Sequence, residues 1–399
     1  MNTTTKDKTQ RTDKQNPALV ILENNAELPP VWGHSGVERI RRAVVHMGAT
    51  LIAEEELASL EENTPVICLR ADYVYHIQVL QGIYKSAGVL LQNQDGQNQD
   101  GQTCLGAHLT SPQQAQDFIK YFRGEHETPP TNLTTQNNET IGNKFDSTLR
   151  KKENLFCHKI DPATLAATEK EIFASTYKGV TDVITKYVWP WPARHVTKFC
   201  CENKISPFVI NLAGIACVLA ATYFFWQGEF AIGLVFGWIF AFFDTVDGKL
   251  ARTQLLYSEL GHALDHGTDL IHPPFWYVAW VLGLHQVGMG LEPTSQFTLI
   301  GVIVLGYIFQ RMQEGYFIMR FGMHLHIWRR FDSFFRLITT RRNPNLIIMT
   351  VFLLAGRPDL AAYGIGLWTL VSVGVHMEQI ISAEILNLRG KEITSWLSL

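Results

Sequence analysis

The pattern of apolar and polar positions changes character part-way along this chain. In the first half, short apolar runs alternate with segments of helical periodicity. ALVILE (18–23) reads as a strand and is followed by a helical stretch over 37–46. ATLIA, PVICLR and GVLLQ, the last ending at Gln92, read as further strands, with a helical pattern over 77–86 between them. Such alternation argues for an α/β layer built on a largely parallel sheet. The tandem repeat QNQDGQNQDG (92–101) is of low complexity and predicts a loop without regular structure. Residues 1–16 are polar and have no apolar core, so they read as a flexible tail and not as a signal peptide. Residues 124–154 read as a second polar linker.

From about Lys204 the chain is dominated by apolar runs broken by short polar segments. Six spans can be laid out, over about 207–226, 230–249, 260–284, 298–317, 345–356 and 360–386. The fifth is short for a hydrocarbon core that needs about 20 helical residues. It is expected to begin earlier, with Arg341 and Arg342 snorkelling, or to fall short of a full span. Ahead of the spans, a helix-like stretch over 162–187 leads to Trp189, Pro190, Trp191 and Pro192. Trp interleaved with Lys and Arg suits the headgroup zone of a membrane surface. The expected organisation is a disordered tail (1–16), an α/β soluble domain (17–123), a linker and helix (124–174), an interfacial helix region (175–203) and an all-α, six-helix membrane domain (204–399).

Composition alone hides this division. The formal net charge is -3 and the mean hydropathy is near zero, because a water-soluble half and a lipid-soluble half cancel. Nothing in that charge calls for a nucleic-acid partner. The six cysteines (Cys68, Cys104, Cys157, Cys200, Cys201, Cys217) show no CxxC spacing and read as reduced thiols and packing residues. Arginines 320, 329, 330, 336, 341 and 342 all fall between spans four and five, whereas 227–229 and 285–297 contain no Lys or Arg. By the positive-inside rule, an even number of spans then places both termini, the soluble domain and the Arg-rich loop on the cytoplasmic side of the inner membrane, with Arg357 as the exception.

The candidate chemistry lies where span two ends and span three begins: Asp244-Thr-Val-Asp247-Gly248-Lys-Leu-Ala251-Arg252, eight residues, then Gly261-His-Ala-Leu-Asp265-His-Gly-Thr-Asp269. Asp244 and Asp247 are three apart and Asp265 and Asp269 four apart, so each pair shares one face of its helix. A short connection makes the helices antiparallel neighbours, and the four carboxylates converge. Ionised acids at membrane depth cost a few kcal/mol each, and no matching cluster of Lys or Arg lies on those two helices. Divalent cations are the expected counterions, and all-oxygen ligation suits Mg²⁺, Mn²⁺ or Ca²⁺ rather than zinc. Two such ions can clamp the attacking and leaving oxygens of a phosphoryl transfer. Gly248 and Gly261 remove side chains where a nucleotide could approach, and Arg252 can meet phosphate charge.

These residues resemble the class-I CDP-alcohol phosphatidyltransferases, whose signature is DxxDGxxAR, eight residues, then GxxxDxxxD. All eight defining positions are present: Asp244, Asp247, Gly248, Ala251, Arg252, Gly261, Asp265 and Asp269. At ordinary residue usage a chance match is roughly a 10⁻⁹ event per starting point. The resemblance implies that Asp244, Asp247, Asp265 and Asp269 bind two Mg²⁺ or Mn²⁺ ions and that Asp269 is also the catalytic base. It implies that Gly248, Ala251, Arg252 and Gly261 line the CDP site. It further implies a membrane-embedded homodimer of phospholipid biosynthesis that moves a phosphatidyl or substituted phosphate group from a CDP-alcohol donor, foremost CDP-diacylglycerol, to an alcohol acceptor, releasing CMP. At the start of span one the family has Pro-Asn followed by Thr; here Ser206-Pro207 is followed by Phe208, with Asn211 further on.

Other features bear on this reading. His262, His266 and His272 lie among the aspartates, but HALDH lacks the glutamate of a metalloprotease motif, so packing or supporting roles are expected. Arg311 and Glu314 are three apart and are expected to pair. The arginine-rich segment reads either as an orientation signal in contact with anionic lipid or as a site for an acceptor phosphate. The soluble half resembles the nucleotidyltransferase-like domains fused to some members of the family. Yet ALVILE runs into ENNAELPP, without the glycines or basic residue that cradle a triphosphate, so a degenerate regulatory or scaffolding unit is expected. Asp72 follows the strand PVICLR and is expected to serve in a loop or cap. A divalent-cation or solute transporter would also place acids in the membrane, but no inverted repeat is visible.

Overall fold

The computed structural model describes residues 16–23, 27–93 and 103–398. The polar tail up to residue 15, nearly all of the QNQDG repeat and residues 24–26 of the ENNAELPP loop lie outside them. The chain divides into two units, one of residues 1–144 with 154–169 and the other of 145–153 with 170–399.

The first unit is a mixed sheet covered by helices. Its strands are β1 (Ala18–Leu22), β2 (Thr50–Leu51), β3 (Val66–Arg70), β4 (Tyr73–Tyr75), β5 (Val89–Asn93), β6 (Thr103–Leu109) and β7 (Thr134–Gln136). Six of them form one sheet in the order β2-β1-β3-β6-β5-β7, while β4 pairs antiparallel with Cys157–Lys159. The sheet is largely parallel, as expected, with β2, β1, β3, β5 and β7 running one way and β6 alone antiparallel to β3 and β5. That strand directly follows the polar repeat, and Gly106 and His108 interrupt its apolar run. Gly106 is required there, because a Cβ would lie 2.3 Å from the Cys68 carbonyl oxygen. The stretch 124–154, expected as linker, contains β7, which joins the sheet edge parallel to β5.

Helices α1 (Gly36–His46), α2 (Ile77–Lys85) and α3 (Pro112–Phe122) start at Ser35, His76 and Ser111, whose side chains accept the backbone N–H of Glu38, Gln78 and Gln114. A single turn, α4 (Asn138–Ile141), is capped by Asn137. The core between sheet and helices includes Leu19, Ile67, Leu69, Val79, Ile83, Leu91 and Phe118, all almost fully buried. Asp72 is forked by Arg70 at 2.8 and 2.6 Å.

The division between the units runs through α5 (Leu165–Ser175). The helix expected over 162–187 is in fact broken. After the turn and bend that follow α5, a new helix, α6 (Val183–Tyr187), starts at Asp182, which accepts the N–H groups of Ile184 and Thr185. Two short strands, Phe145–Asp146 and Lys151–Lys152, pair antiparallel and brace this stretch: Gly179 N–H donates to Leu149 O at 2.8 Å. Then follow α7 (Pro190–Glu202), α8 (Pro207–Trp226), α9 (Phe230–Thr253), α10 (Glu259–Gly283), α11 (Pro293–Phe321), α12 (Arg330–Phe335), α13 (Arg342–Leu354) and α14 (Pro358–Leu388).

Four of these, α8, α9, α11 and α14, are long and apolar enough to cross a membrane. Large apolar side chains such as Leu219, Val235, Leu305, Met319 and Leu367 point outward from them, as a lipid-facing surface requires. Inside, Phe225, Phe240, Trp276 and Trp280 form a buried aromatic cluster. Its indoles are satisfied by backbone, Trp276 by Val218 O at 3.1 Å and Trp280 by Pro358 O at 2.9 Å. α8 and α10 approach closely at Gly283, where a Cβ would lie 1.9 Å from Phe225 O.

Candidate active site at the paired aspartates

Asp244 and Asp247 sit on α9, and Asp265 and Asp269 on α10. The side chain of Asp265, like that of His262, is outside the described ones. The other three acids come together. A single guanidinium bridges two of them: Arg342, the first residue of α13, donates Nη1 to Asp269 Oδ1 and Nη2 to Asp244 Oδ2, each at 2.5 Å. Its Cζ also lies 4.8 Å from the Phe240 ring centroid. The positive charge that meets Asp244 and Asp269 thus comes from a third helix, 73 residues beyond Asp269. Sequence spacing gives no sign of it.

Asp247 is more deeply placed, at 5% exposure. Its Oδ2 accepts Asn211 Nδ2 from α8 at 3.0 Å. The Asn211 Oδ1 atom is buried and has no partner among the described residues. Asn211, Gly214, Phe240, Asp244, Asp247 and Thr268, with Ile210 and Ile215, line a small cleft. Three carboxylates, an orphaned carboxamide oxygen and a confined space form an all-oxygen donor set that fits Mg²⁺ or Mn²⁺. Asn211 was visible in the sequence only as a misplaced family Asn; the fold brings it one helix across to Asp247.

The remaining signature residues lie at the C-terminal end of α9 and the start of α10. Gly248 leaves room for Arg252, whose Nη2 would stand 3.0 Å from a Cβ at 248. Arg252 Nε donates to Thr176 O at 3.0 Å, and Lys249 Nζ donates to the same oxygen at 3.1 Å while lying 3.2 Å from the Tyr177 ring centroid. The signature arginine therefore holds the turn between α5 and α6, a contact the sequence reading missed. Ala251 is half-buried on the same helix. Gly261 donates its N–H to Ser258 Oγ, the cap of α10, at 3.1 Å.

Pro273 and Pro274 lie inside α10. Neither can donate a helical hydrogen bond, so the carbonyls of Asp269 and Leu270, four residues earlier, are left open. The Tyr307 hydroxyl of α11 fills the gap, 3.5 Å from Asp269 O and 2.9 Å from Leu270 O. His272 packs edge-on against Phe240 and Trp276, as expected of a supporting residue.

A second polar cluster was not foreseen. The ligand atoms of Glu314, His326 and His376 lie within 4.8 Å of one another, a spacing that could hold a metal ion. However, both Glu314 oxygens accept Arg341 Nη2, and Oε1 also accepts Arg311 Nη2 at 2.8 Å. The expected Arg311–Glu314 pair is present, and two guanidinium groups already outweigh the one carboxylate. Burial holds the His326 imidazole well below its usual range in spite of Glu314, so it adds no charge. A divalent ion here would raise an existing positive excess, whereas at the aspartates it would neutralise an acidic one. The aspartate centre is the better metal site. Most arginines of the 320–342 segment are likewise engaged: Arg320 with Glu384, and Arg329 with Asp332 and Glu378.

With this geometry in place, the comparison with known families is decisive for one segment. Residues 204–375 match the CDP-alcohol phosphatidyltransferase family. The match spans α8 to the middle of α14 and contains every residue of the aspartate pattern, so the resemblance read from residues 244–269 holds over the whole helical core. The match over 204–375 and the four helices of spanning length support an integral membrane protein of transferase type. No curated protein matches the chain.

Proposed function

We propose that the protein transfers a phosphatidyl or substituted phosphate group from a CDP-alcohol, foremost CDP-diacylglycerol, to an acceptor hydroxyl, with release of CMP. The observation that carries this reading is the meeting of Asp244 and Asp269, from two helices, on the Arg342 guanidinium, with Asp244 and Asp247 lining one small cleft inside the family-matched segment. Asp244, Asp247, Asp265 and Asp269 would hold two Mg²⁺ or Mn²⁺ ions, which when bound neutralise the phosphates and the leaving CMP. Gly248, Ala251, Arg252 and Gly261 form the donor wall. Asp269 takes the proton from the acceptor hydroxyl, whose oxygen attacks the phosphorus distal to cytidine. Its side chain is 46% exposed, against near-complete burial of Asp247, which suits the one acid that must meet a second substrate.

The acceptor is assigned an anionic group. Arg311 and Arg341 share only Glu314, and Arg311 stacks 5.5 Å from the Tyr307 ring, whose hydroxyl reaches the backbone of Asp269. Charge for an acceptor phosphate therefore lies one side chain away from the base. Arg341→Lys removes the fork that suits a phosphate. It is expected to raise the acceptor KM at least about tenfold, the loss of one charge-assisted bond, with donor KM unchanged. An unchanged acceptor KM across the cluster would mean a neutral acceptor.

In the membrane, α10 adds a fifth full span and α13 a shorter sixth segment in a six-helix layout with both termini in the cytoplasm, and two chains form a homodimer. At about 1.5 Å per residue, α10 is roughly 37 Å long over its 25 residues, enough to span. The 13 residues of α13 reach about 20 Å, short of a hydrocarbon core of about 30 Å. The soluble unit is a nucleotidyltransferase-like scaffold without activity of its own.

The defining experiment is CMP release from CDP-diacylglycerol by the purified full-length protein, with candidate acceptors supplied one at a time. Release that depends on an acceptor and on Mg²⁺ or Mn²⁺ supports the reading. Absence of release with every acceptor class, phosphorylated and neutral, contradicts it.

A further inference from the structure

Arg342 occupies the position a cation would take. It spans Asp244 and Asp269, which belong to different helices, and both bonds are charge-assisted and short. Its placement is built, not incidental. Just beyond it α13 is locked by polar side chains: Asn343 Nδ2 donates to Asp182 Oδ1 at 2.9 Å, and Asn345 Nδ2 donates to Tyr277 OH at 2.7 Å. Phe240 covers one face of the guanidinium, and the side chain is 13% exposed.

We propose that Arg342 is an internal competitor for the metal centre: its guanidinium neutralises Asp244 and Asp269 until divalent metal and substrate phosphate arrive together. This rests on the function proposed above and adds a coupling to it. Guanidinium and metal cannot use the same carboxylate lone pairs at once. A guanidinium that yields those oxygens exposes its fork of donors in the same cleft, where the phosphate of the incoming donor can take it. Metal and nucleotide then bind cooperatively, and the carboxylates are not left as an unneutralised cluster between turnovers. Cooperativity of this kind is reciprocal, so it is measurable in binding alone.

The test is Mn²⁺ binding to the full-length protein, read by electron paramagnetic resonance, with and without CMP. Arg342→Gln is expected to tighten Mn²⁺ binding at least tenfold in the absence of nucleotide, and Arg342→Lys, which cannot bridge both acids, by less. CMP is expected to tighten Mn²⁺ binding to the unaltered protein and to lose most of that effect in Arg342→Gln. Asp247→Asn identifies the site, since it should abolish the signal in every background. If Arg342→Gln leaves the Mn²⁺ Kd unchanged or weakens it, Arg342 is a helix clamp and the competition is refuted, while the metal centre stands. If no Mn²⁺ site sensitive to Asp247→Asn exists at all, the proposed function falls with it. Thermal unfolding guards against misfolding: with Mn²⁺ present, Arg342→Gln should regain the stability it loses in EDTA.

Discussion

At the scale of single residues, the centre divides into what spacing shows and what only folding shows. Asp244, Asp247 and Asp269 were legible because helical geometry turns short intervals in the aspartate pattern into a shared face. Arg342 and Asn211 were not, since each lies on another helix and meets the aspartates only through packing. Asn211 yields a direct prediction. Its Nδ2 orients Asp247, and loss of such an outer partner typically costs 10–100-fold in metal affinity. Asn211→Ala should therefore raise the metal concentration for half-maximal activity by about that factor, and an unchanged metal titration would show that Asp247 needs no partner. The roles of the acids separate in the same way. Asp269→Asn should abolish turnover while preserving donor binding, whereas Asp244→Asn or Asp247→Asn should weaken metal-dependent donor binding itself. Equal loss of binding in all three would make Asp269 only a ligand.

Asp182, outside the membrane helices, supplies a pH dependence. Burial opposes its ionisation, but the charge of Arg336 and hydrogen bonds from Thr185 and Asn343 prevail and hold the carboxyl below its usual range. A folded-state pKa below the unfolded one stabilises fully above the ordinary Asp value of about 3.9 and is lost as pH falls through the folded value. Between about pH 5 and about pH 3, thermal unfolding temperature should thus fall more steeply for the unaltered protein than for Asp182→Asn. Parallel curves would mean that Asp182 titrates alike folded and unfolded.

At the scale of elements, boundaries read well wherever a cap or a Pro marks them. Ser206-Pro207 starts α8 at the expected residue, and Ser35 and Ser111 start helices of the soluble unit. Two elements were misread: β6, hidden behind a polar repeat, and the break between α5 and α6, marked locally by the Asp182 cap and held by Lys249 and Arg252 donating to Thr176 O. The two prolines in α10 were readable as a helix defect, but their partner Tyr307 was not, because it lies on the next long helix. Tyr307→Phe keeps the ring and removes the donor to the open Asp269 and Leu270 carbonyls. One lost hydrogen bond of about 1–1.5 kcal/mol should lower kcat about tenfold with little change in donor KM. Full kcat in steady-state assays would show that Asp269 is held by the helix alone. Gly283→Ala, by contrast, places a Cβ against the Phe225 carbonyl, which cannot move aside. Overpacking of this kind costs about 1–3 kcal/mol and should appear as a lower unfolding temperature.

At the scale of the whole molecule, the division into a water-soluble and a lipid-soluble half was plain from the run lengths of apolar residues, and the family match falls within the second half alone. The first half has a mixed α/β sheet but no matched family, and the ENNAELPP segment after β1 carries neither the glycines nor the basic residue expected to cradle a triphosphate. The full-length protein should therefore release no pyrophosphate from CTP with any sugar or polyol phosphate. The central claim, that the paired aspartates form a divalent-metal centre for CDP-alcohol transfer, is tested most directly by CMP release under metal control. Activity should vanish in EDTA and return on addition of Mg²⁺ or Mn²⁺, and Asp247→Asn should not be rescued. Full CMP release with EDTA in excess over all divalent metal would contradict it.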